Sequence, residues 1–434
     1  MKKVTKEKLH QILDIKESYQ LPEKLMGVLS DENEKEKVFD LCMINNDCDL
    51  SNDWFQEYYE EEYSERKKLK QDFTPECIGK IISGMSQSFA SCCDVCAGIG
   101  GLTINMWNLC KTAFFYCEEI SAAALPILLF NMAIRNIEGQ IVHGDSLSGQ
   151  IYKIYTLHHA EKYSEIVTDE PKTEKKFDIV VTNPPYSMKW DRDKYIQDKR
   201  FEHFGLAPAS RADYAFVLHG LSKINENGKL LAILPHGVLF RGSHEGVIRQ
   251  KLAEKNLINT IVGLPEKLFL NTDIPVVVLE LKKEKRDNEI LIIDASKKYK
   301  KVASKNTIET DDIKNIIKAH EKYVPCEKYC SLVSRKQLEE NEYNLNIPRY
   351  VDTFEPESPI DILKTISNIH NINDEIEECE CKLLKSLENM KGTNKDAAEE
   401  HKKVTKMYRE YITQKYPQTQ KKQDIDGQIT FELE

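Results

Sequence analysis

The sequence lacks the uninterrupted apolar stretch of about 20 residues that a membrane-spanning helix needs. Its N-terminus, MKKVTKEKLHQIL, lacks the apolar core and the cleavage site of a secretion signal. It also lacks the two-pair Cys or His spacing of a zinc site, although Cys92, Cys93 and Cys96 lie close together. We therefore expect a cytoplasmic protein with no metal centre, whose 12 cysteines remain reduced.

The sequence has no excess of positive charge either. It contains 61 lysines and arginines against 71 aspartates and glutamates, which gives a formal net charge of −10. Because neutralising phosphates supplies most of the non-specific affinity of proteins for DNA, this balance argues against a chain that grips DNA unaided. It leaves open a local basic groove, or a subunit whose partner provides the grip.

What the sequence does contain, from about residue 71, is a series of short apolar runs that alternate with amphipathic stretches. The runs that read as buried strands are SFASCCDVCAG, AFFYCEEI, QIVHGD, FDIVVTN, KLLAILP and INTIVGLP. Strands that alternate with helices indicate βαβ units and a mostly parallel sheet. We predict an α/β fold with a Rossmann-like sheet, in which IPVVVLELKK and EILIIDAS form an antiparallel hairpin at the edge.

Three segments depart from this pattern. Residues 1–70 are polar and are expected to form a small helical segment. Residues 150–176 are polar and charged, and we expect them to leave the sheet. Residues 331–434 lack the sheet pattern, and the helical spacing of Ile, Leu and Met over 357–415 indicates exposed helices or a coiled-coil arm. The predicted domains are therefore 1–70, 71–330 and 331–434, and we expect the charged helices of the last one to pack on the helices of a partner. The 434 residues allow this number of domains.

Acidic residues follow three successive predicted strands. Asp94 opens the run DVCAGIGG, whose glycines permit a tight turn and close approach of a ligand, although an ordinary strand-to-helix turn would look the same. Glu119 ends the next strand, where nucleoside-binding α/β folds place an acid that receives ribose hydroxyls; Glu118 is the neighbouring alternative. Asp145 follows the third strand and could accept a hydrogen bond from an adenine amino group, although Gly-Asp turns are common.

The most specific motif is Asn183-Pro184-Pro185-Tyr186, directly after the apolar run FDIVVT. Its prolines stiffen the backbone and remove two N–H donors. The Asn183 side-chain oxygen and the Pro184 carbonyl can then both accept from one substrate amino group. These bonds stabilise the positive charge that develops as the nitrogen attacks an electrophile. Tyr186 can stack on a planar ring. The motif can meet a ligand on the glycine turn if their two strands are neighbours where the strand order reverses.

Together these motifs resemble the adenine-specific amino-methyltransferases of DNA, and more narrowly the modification (M) subunit of type I restriction-modification systems. The resemblance covers about residues 71–352. It includes Phe73-Thr74-Pro75 and four later stretches, at residues 212–216, 234–242, 271–275 and 343–350. It implies a class I methyltransferase fold that uses S-adenosylmethionine. One departure is the glycine turn, in which Val95 and Ile99 replace the proline and serine of the family.

The resemblance also implies a role for each motif. The residues assigned to the cofactor are Phe73, Thr74 and Pro75 at its methionine end, Asp94, Gly98 and Gly100 at the pocket floor, Glu119 at the ribose and Asp145 at the adenine. Asn183, Pro184, Pro185 and Tyr186 would hold a target adenine that has flipped out of double-stranded DNA, because its N6 is inaccessible inside the stacked duplex.

Several functions remain open from sequence. The leading hypothesis is a modification subunit that methylates adenine N6 with a separate DNA-specificity subunit and, in some assemblies, a restriction subunit. A solitary DNA methyltransferase, such as one carried by a phage, is the alternative that the short N-terminal region favours. Methylation of RNA or of protein glutamine is the third, against which the later stretches argue. A catalytically silent, cofactor-binding scaffold is the fourth, against which the intact motifs argue.

Overall fold

The computed structural model describes residues 6–56, 58–59, 74–169, 176–269, 272–285, 287–353 and 361–417. The chain divides into two compact units, Met1–Phe354 and Glu355–Glu434. The α-helices of the first unit whose bounds lie within the described residues are α1 (Lys6–Leu13), α2 (Leu21–Ser30), α3 (Glu32–Asn45), α4 (Glu76–Met85), α5 (Gly101–Leu109), α6 (Leu125–Ile134), α7 (Asp213–Lys223), α8 (Ser243–Glu254), α9 (Thr310–Lys322) and α10 (Arg335–Glu340).

Among the described residues, an 11-stranded sheet forms the centre of the first unit. Its strands are β1 (Ser91–Asp94), β2 (Phe114–Glu119), β3 (Gly139–Asp145), β4 (Gln150–His158), β5 (Glu165–Asp169), β6 (Phe177–Thr182), β7 (Ile224–Pro235), β8 (Ile258–Gly263), β9 (Val276–Lys282), β10 (Ile290–Asp294) and β13 (Cys330–Val333). A separate pair consists of β11 (Lys300–Val302) and β12 (Lys305–Thr307). The order across the large sheet is β13-β10-β8-β9-β7-β6-β1-β2-β3-β4-β5.

The predicted α/β fold with a mostly parallel sheet is confirmed. Strands β1, β2, β3, β5, β6, β7, β8 and β10 run in one direction, and β4, β9 and β13 run in the other. Alternate residues of β6 belong to two different hydrophobic cores. Ile179 and Val181 lie in one core, and Val180 lies in the other. Because both faces of the sheet are buried, its strands read as continuous apolar runs in the sequence.

The centre of the sheet is the point where the strand order reverses. Strand β1 pairs in parallel with β2 on one side and with β6 on the other. Asp94 at the end of β1 is level with Cys117 of β2 and with Val181 of β6. The loops that follow these strands therefore open at the same edge, which is where open α/β sheets bind their ligands.

Both predictions about the sheet edges need correction. IPVVVLELKK and EILIIDAS form β9 and β10, but these strands do not pair with each other. Strand β9 lies between β7 and β8 and is antiparallel to both, and β10 pairs in parallel with β8. Their short connector suggested a hairpin, but β8 lies between the two strands and pairs with each of them.

The antiparallel edge hairpin is formed by β4 and β5 instead. Residues 150–169 thus extend the sheet beyond β3, and only residues 170–175 of the predicted excursion lie outside the described residues. The first four residues of β4 are exposed and the next four are buried. The exposed, lysine-containing first half of β4 made the strand hard to recognise in the sequence, although the Ile, Tyr and Thr content of β4 favours a strand.

The N-terminal helices pack on the sheet unit through aromatic side chains. The ring of Phe39 in α3 meets the ring of Phe130 in α6 edge-on at 4.6 Å and that of Tyr163 at 5.0 Å. Phe55 meets Phe130 at 5.1 Å. The buried Lys35 ammonium donates to the Ser164 carbonyl at 2.9 Å. These helices therefore share one hydrophobic core with the sheet.

The second unit is a helical hairpin of α11 (Ile362–Asn389) and α12 (Lys395–Lys415), so the predicted helical C-terminal region is confirmed. Ion pairs join the two helices, Arg409 to Glu388 at 2.6 Å and Lys415 to Glu380 at 2.8 Å. The N-terminal half of α11 exposes isoleucines, namely Ile362, Ile366, Ile369, Ile372 and Ile376. No helix in the described part of the chain is both long and apolar enough to cross a bilayer.

Candidate active site

An open cavity of about 990 Å³ lies at the carboxyl ends of β1, β2, β3 and β6. Seven of the residues proposed from sequence line it: Thr74, Asp94, Gly98, Glu119, Asp145, Asn183 and Pro185. They come from segments that are up to 111 residues apart in the chain. The reversal of strand order at β1 explains how they meet, because it opens the loops after β1 and β6 side by side.

The glycine turn after β1 requires glycine at two positions. Gly98 has φ of 57° and Gly100 has φ of 98°, a region that other residues rarely adopt. A Cβ atom on Gly100 would also approach the Leu128 side chain to 3.0 Å. Gly100 does not line the cavity itself; it precedes the first residue of α5 and so directs that helix away from the turn.

The two neighbouring glutamates of β2 have different environments. Glu119 accepts from the backbone N–H of Gly98 at 2.7 Å and from that of Ser121 at 2.6 Å, and burial raises its pKa. Glu118 pairs with Lys223 at 2.7 Å and with His219 at 2.8 Å. Burial alone would raise the pKa of Glu118, but these two partners outweigh it and hold the pKa well below its usual range.

Asp94 is a buried acid whose pKa is strongly raised. Its carboxylate accepts from the backbone N–H of Cys96 at 3.2 Å and from the Thr103 hydroxyl at 3.4 Å. Burial, reinforced by the nearby negative charge of Glu119, raises its pKa to about 7. A group in this state gains from a cationic ligand, which would restore the ionised form.

The loop after β3 is fixed by a residue that sequence reasoning missed. The Asp145 carboxylate accepts from the Leu147 N–H at 3.0 Å, and the Ser146 hydroxyl donates to the Val95 carbonyl at 2.8 Å. Arg200 donates to the carbonyls of Ser146 at 2.8 Å and Leu147 at 2.6 Å. Arg200 lies in a polar segment without a motif, so no pattern in the sequence marked it.

Asn183 is oriented by two hydroxyl groups. Its Nδ2 donates to Thr74 Oγ1 at 3.0 Å, and its Oδ1 accepts from the Tyr186 hydroxyl at 2.8 Å. Tyr186 is only 7% exposed, and its ring meets that of Phe269 edge-on at 5.9 Å. Tyr186 thus stands behind Asn183 rather than among the lining residues.

The backbone that follows the motif is also fixed. Ser187 has φ of 52°, and its N–H donates to the buried Asp213 carboxylate at 2.8 Å. Asp213 in turn pairs with Arg241 at 3.3 Å. The segment that begins α7 therefore holds the turn after Tyr186. The sequence marked this segment only as part of the family resemblance, without a role.

The remaining predicted residues lie beside the cavity or outside the described chain. Pro75 immediately precedes α4, and Pro184 does not line the cavity. Phe73 falls outside the described residues. The N-terminal region contributes two lining residues that the sequence analysis did not propose, Asp53 and Gln56. They belong to a polar stretch in which nothing distinguished them from other surface residues.

Comparison with known proteins gives a consistent family. A family model described as N-6 DNA Methylase matches residues 50–358. The type I restriction enzyme MpnII methylase subunit of Mycoplasma pneumoniae is 26% identical over 336 residues, which cover 74% of this chain and 60% of that protein. The type I restriction enzyme MjaVII methylase subunit of Methanocaldococcus jannaschii is 32% identical over 235 residues, or 49% of this chain and 40% of that protein.

Solved structures show the same fold. The methyltransferase subunit of a type I restriction-modification system from Streptococcus thermophilus matches with a TM-score of 0.62 and 28% identity, covering 80% of both chains. The type I restriction enzyme EcoKI M protein matches with a TM-score of 0.50 and 17% identity, covering 82% of this chain and 79% of that chain. The chain spans about 60% and 40% of the lengths of the two curated relatives described above.

Proposed function

The chain belongs to the N-6 DNA methylase family, and we propose that it transfers a methyl group from S-adenosylmethionine to the N6 amino group of adenine in DNA. One observation carries the proposal: Asn183 and Pro185 line the same cavity as Asp94, Glu119 and Asp145. An acceptor for an amino group thus lies beside several carboxylates in one cavity, and this cavity opens where the strand order of the sheet reverses.

The chemistry of the cavity suits this cofactor. The ammonium group, ribose hydroxyls and adenine amino group of S-adenosylmethionine are hydrogen-bond donors, and the carboxylates of the cavity are acceptors. We assign Glu119 to the ribose, Asp145 to the adenine, and Asp94 with Thr74 to the methionine end. Ile120, which is 43% exposed and lines the cavity, offers an apolar surface to the adenine ring. When bound, the cofactor supplies an electrophilic methyl group.

Other predicted residues shape this pocket. In our proposal Gly98 and Gly100 form the turn beneath the cofactor, and Pro75 sets the start of α4 so that Thr74 faces the cavity. Phe73 stays a prediction at the methionine end.

Asn183 is the residue that we expect to act on the target amine. Because its Nδ2 donates to Thr74, its Oδ1 is the atom that we expect to accept from a substrate N–H. A carbonyl oxygen has two lone pairs, so one atom can accept both from an amine and from a hydroxyl such as that of Tyr186. The bond strengthens as positive charge develops on the nitrogen, which is preorganised electrostatic stabilisation. Pro184 and Pro185 stiffen the turn and keep the amide in place.

The target adenine must leave the duplex to reach this site. The amide of Asn183 lies at the end of a central strand, and Tyr186 behind it is 7% exposed. An adenine stacked in double-stranded DNA cannot bring its N6 into such a recess, so we propose base flipping. Tyr186 would support the flipped base through Asn183, and stacking on it would need the ring to turn outward.

We further propose that the chain acts as the modification subunit of a type I restriction-modification system. The relatives described above are named as methylase subunits of such enzymes. The net charge of −10 suits a subunit whose grip on DNA comes from a DNA-specificity partner. A solitary DNA methyltransferase is the alternative, and a restriction subunit would be a further partner.

Substitution of Asn183 tests the proposed reaction. Asn183→Ala should lower kcat for methyl transfer to DNA by roughly 100-fold or more, because removing a single preorganised donor or acceptor typically has that effect. It should leave the affinity for S-adenosylhomocysteine unchanged. Transfer of labelled methyl groups and calorimetry measure the two quantities. Asn315→Ala, on the exposed surface of α9, is the matched control. Undiminished transfer by Asn183→Ala would contradict the assignment.

A further inference from the structure

The N-terminal residues beside the cavity are held there by a buried arginine. Arg135, 4% exposed at the end of α6, donates from Nε to the carbonyl of Leu50 at 2.9 Å and from Nη2 to that of Asn52 at 2.7 Å. Guanidinium bonds to two carbonyls fix the path of the chain immediately before Asp53. This loop is therefore a built part of the cavity wall.

A second buried residue joins Asp53 to the glycine turn. Asn131, 1% exposed, donates from Nδ2 to Asp53 Oδ1 at 3.1 Å and to the carbonyl of Ile99 at 2.9 Å. Oδ1 of Asp53 also accepts from the N–H of Phe55 at 3.0 Å. Asp53 thus lies next to the turn that we assign to the floor of the cofactor pocket, with one of its two oxygens fully engaged.

The other oxygen of Asp53 has no such support. Oδ2 is buried and accepts no hydrogen bond from any described residue, yet Asp53 lines the cavity. The other acids of this wall have protein donors: Asp94, Glu118, Glu119 and Asp145 each accept at least one hydrogen bond. Burial also raises the pKa of Asp53. A buried carboxylate oxygen without a donor is costly, and a ligand can supply the donor.

We propose that Asp53 Oδ2 receives the α-ammonium group of the methionine moiety of S-adenosylmethionine. This inference rests on the proposed function, which supplies the cofactor. A buried anion calls for a cation, and the cofactor has two cationic centres. Its sulfonium carries no N–H or O–H donor, whereas its ammonium carries three. The ribose hydroxyls, which are neutral, already have Glu119 as their assigned acceptor.

This contact would make the N-terminal segment part of the methyltransferase site. Because Asn131 joins Asp53 to the Ile99 carbonyl, a ligand bound to Asp53 also steadies the glycine turn. The pocket is then completed by a segment that precedes all of the motifs.

Two ligands separate this contact from others. S-Adenosylhomocysteine carries the α-ammonium group, whereas 5′-methylthioadenosine keeps the adenosine and the sulfur but lacks the amino-acid moiety. Asp53→Asn keeps one side-chain oxygen, replaces the other with an NH2 group and removes the negative charge. A hydrogen bond between charged groups corresponds to about a 10- to 100-fold change in affinity. Calorimetry on the full chain should therefore show that Asp53→Asn loses affinity by this factor for S-adenosylhomocysteine but not for 5′-methylthioadenosine.

Asp49→Asn is the matched control, because Asp49 lies in the same loop near Arg135 and does not line the cavity. It should change neither affinity. Unchanged binding of methylthioadenosine by Asp53→Asn would show that the pocket remains folded. Equal affinity of wild type and Asp53→Asn for S-adenosylhomocysteine would overturn the inference, as would an equal loss for both ligands, which points to a ribose contact. A wild type that binds neither ligand would overturn the proposed function itself.

Discussion

At the scale of single residues, the site depends on side chains that orient other side chains. Thr74 and Tyr186 fix the Asn183 amide, and Asp213 fixes the turn that follows it. A displacement of about 1 Å at a reacting centre can cost about 100-fold in rate, so these contacts matter although they need not touch the substrate. Asp213 therefore acts as a positioning residue for the turn after Tyr186.

Removing the Asp213 carboxylate should lower the rate without weakening cofactor binding. Asp213→Ala deprives the Ser187 N–H of its acceptor, so we expect kcat to fall by roughly 10- to 100-fold while the affinity for S-adenosylhomocysteine stays constant. Asp213→Asn keeps an acceptor oxygen and should restore much of kcat. Steady-state kinetics and calorimetry measure these effects. An equal loss in both variants would mean that the charge pair with Arg241, rather than the acceptor, is what matters.

Asp94 should make the stability of the ligand-free protein depend on pH. Its folded pKa of about 7 lies above the ordinary value of 3.8. For such an acid the contribution to stability is complete below the unfolded pKa and is lost as the pH rises through the folded pKa. The melting temperature of wild type relative to Asp94→Asn should therefore fall between about pH 4 and pH 7. A difference that is flat across this window would show that Asp94 is ionised throughout.

At the scale of elements, the sequence predicts the central strands well and the periphery poorly. The strands that lead to Asp94, Glu119, Asp145 and Asn183 are buried on both faces of the sheet. Such strands appear in the sequence as continuous apolar runs, which is why they could be predicted. Strand β4 is half-exposed, and β9 pairs with β7 and β8 rather than with β10. Neither feature produces a periodic pattern in the sequence. Pairing between distant strands depends on the whole sheet, so the local connector length gave the wrong partner.

The N-terminal helices show the same limit. Their surface is polar, which suggested a small appended segment, yet Phe39 is fully buried against Phe130 and Tyr163. Tertiary packing decides which of the few apolar side chains on a polar helix become buried. For the same reason Asp53, Arg135 and Arg200 could not be assigned to the site from sequence, whereas the motif residues could.

Truncation of Phe39 should uncouple these helices from the sheet. Phe39→Ala should reduce the free energy of unfolding by about 3–5 kcal/mol, the usual result of removing a buried phenylalanine. Urea denaturation measures the change, with Phe240→Ala, at a side chain that is 43% exposed, as the comparison. If the two variants were equally stable, the aromatic packing between α3 and α6 would not be what secures the N-terminal region.

At the scale of the whole molecule, the unit that contains the sheet is followed in the chain by a separate helical hairpin. The first unit contains every residue that we assign to cofactor or target base. The hairpin exposes isoleucines along α11 and carries dense charge, as a surface for packing on another helix would. That the C-terminal region packs on a partner's helices stays a prediction from the sequence.

Mapping of N6-methyladenine by long-read sequencing, in a host that lacks adenine methylation, tests directly whether the chain methylates DNA. The chain would be expressed with and without the products of its neighbouring genes, and Asn183→Ala would be the control. We predict modification at a single sequence motif that requires the partners and disappears in Asn183→Ala. Modification by the chain alone would indicate a solitary enzyme. Absence of N6-methyladenine in both conditions would contradict the proposed methylation of DNA.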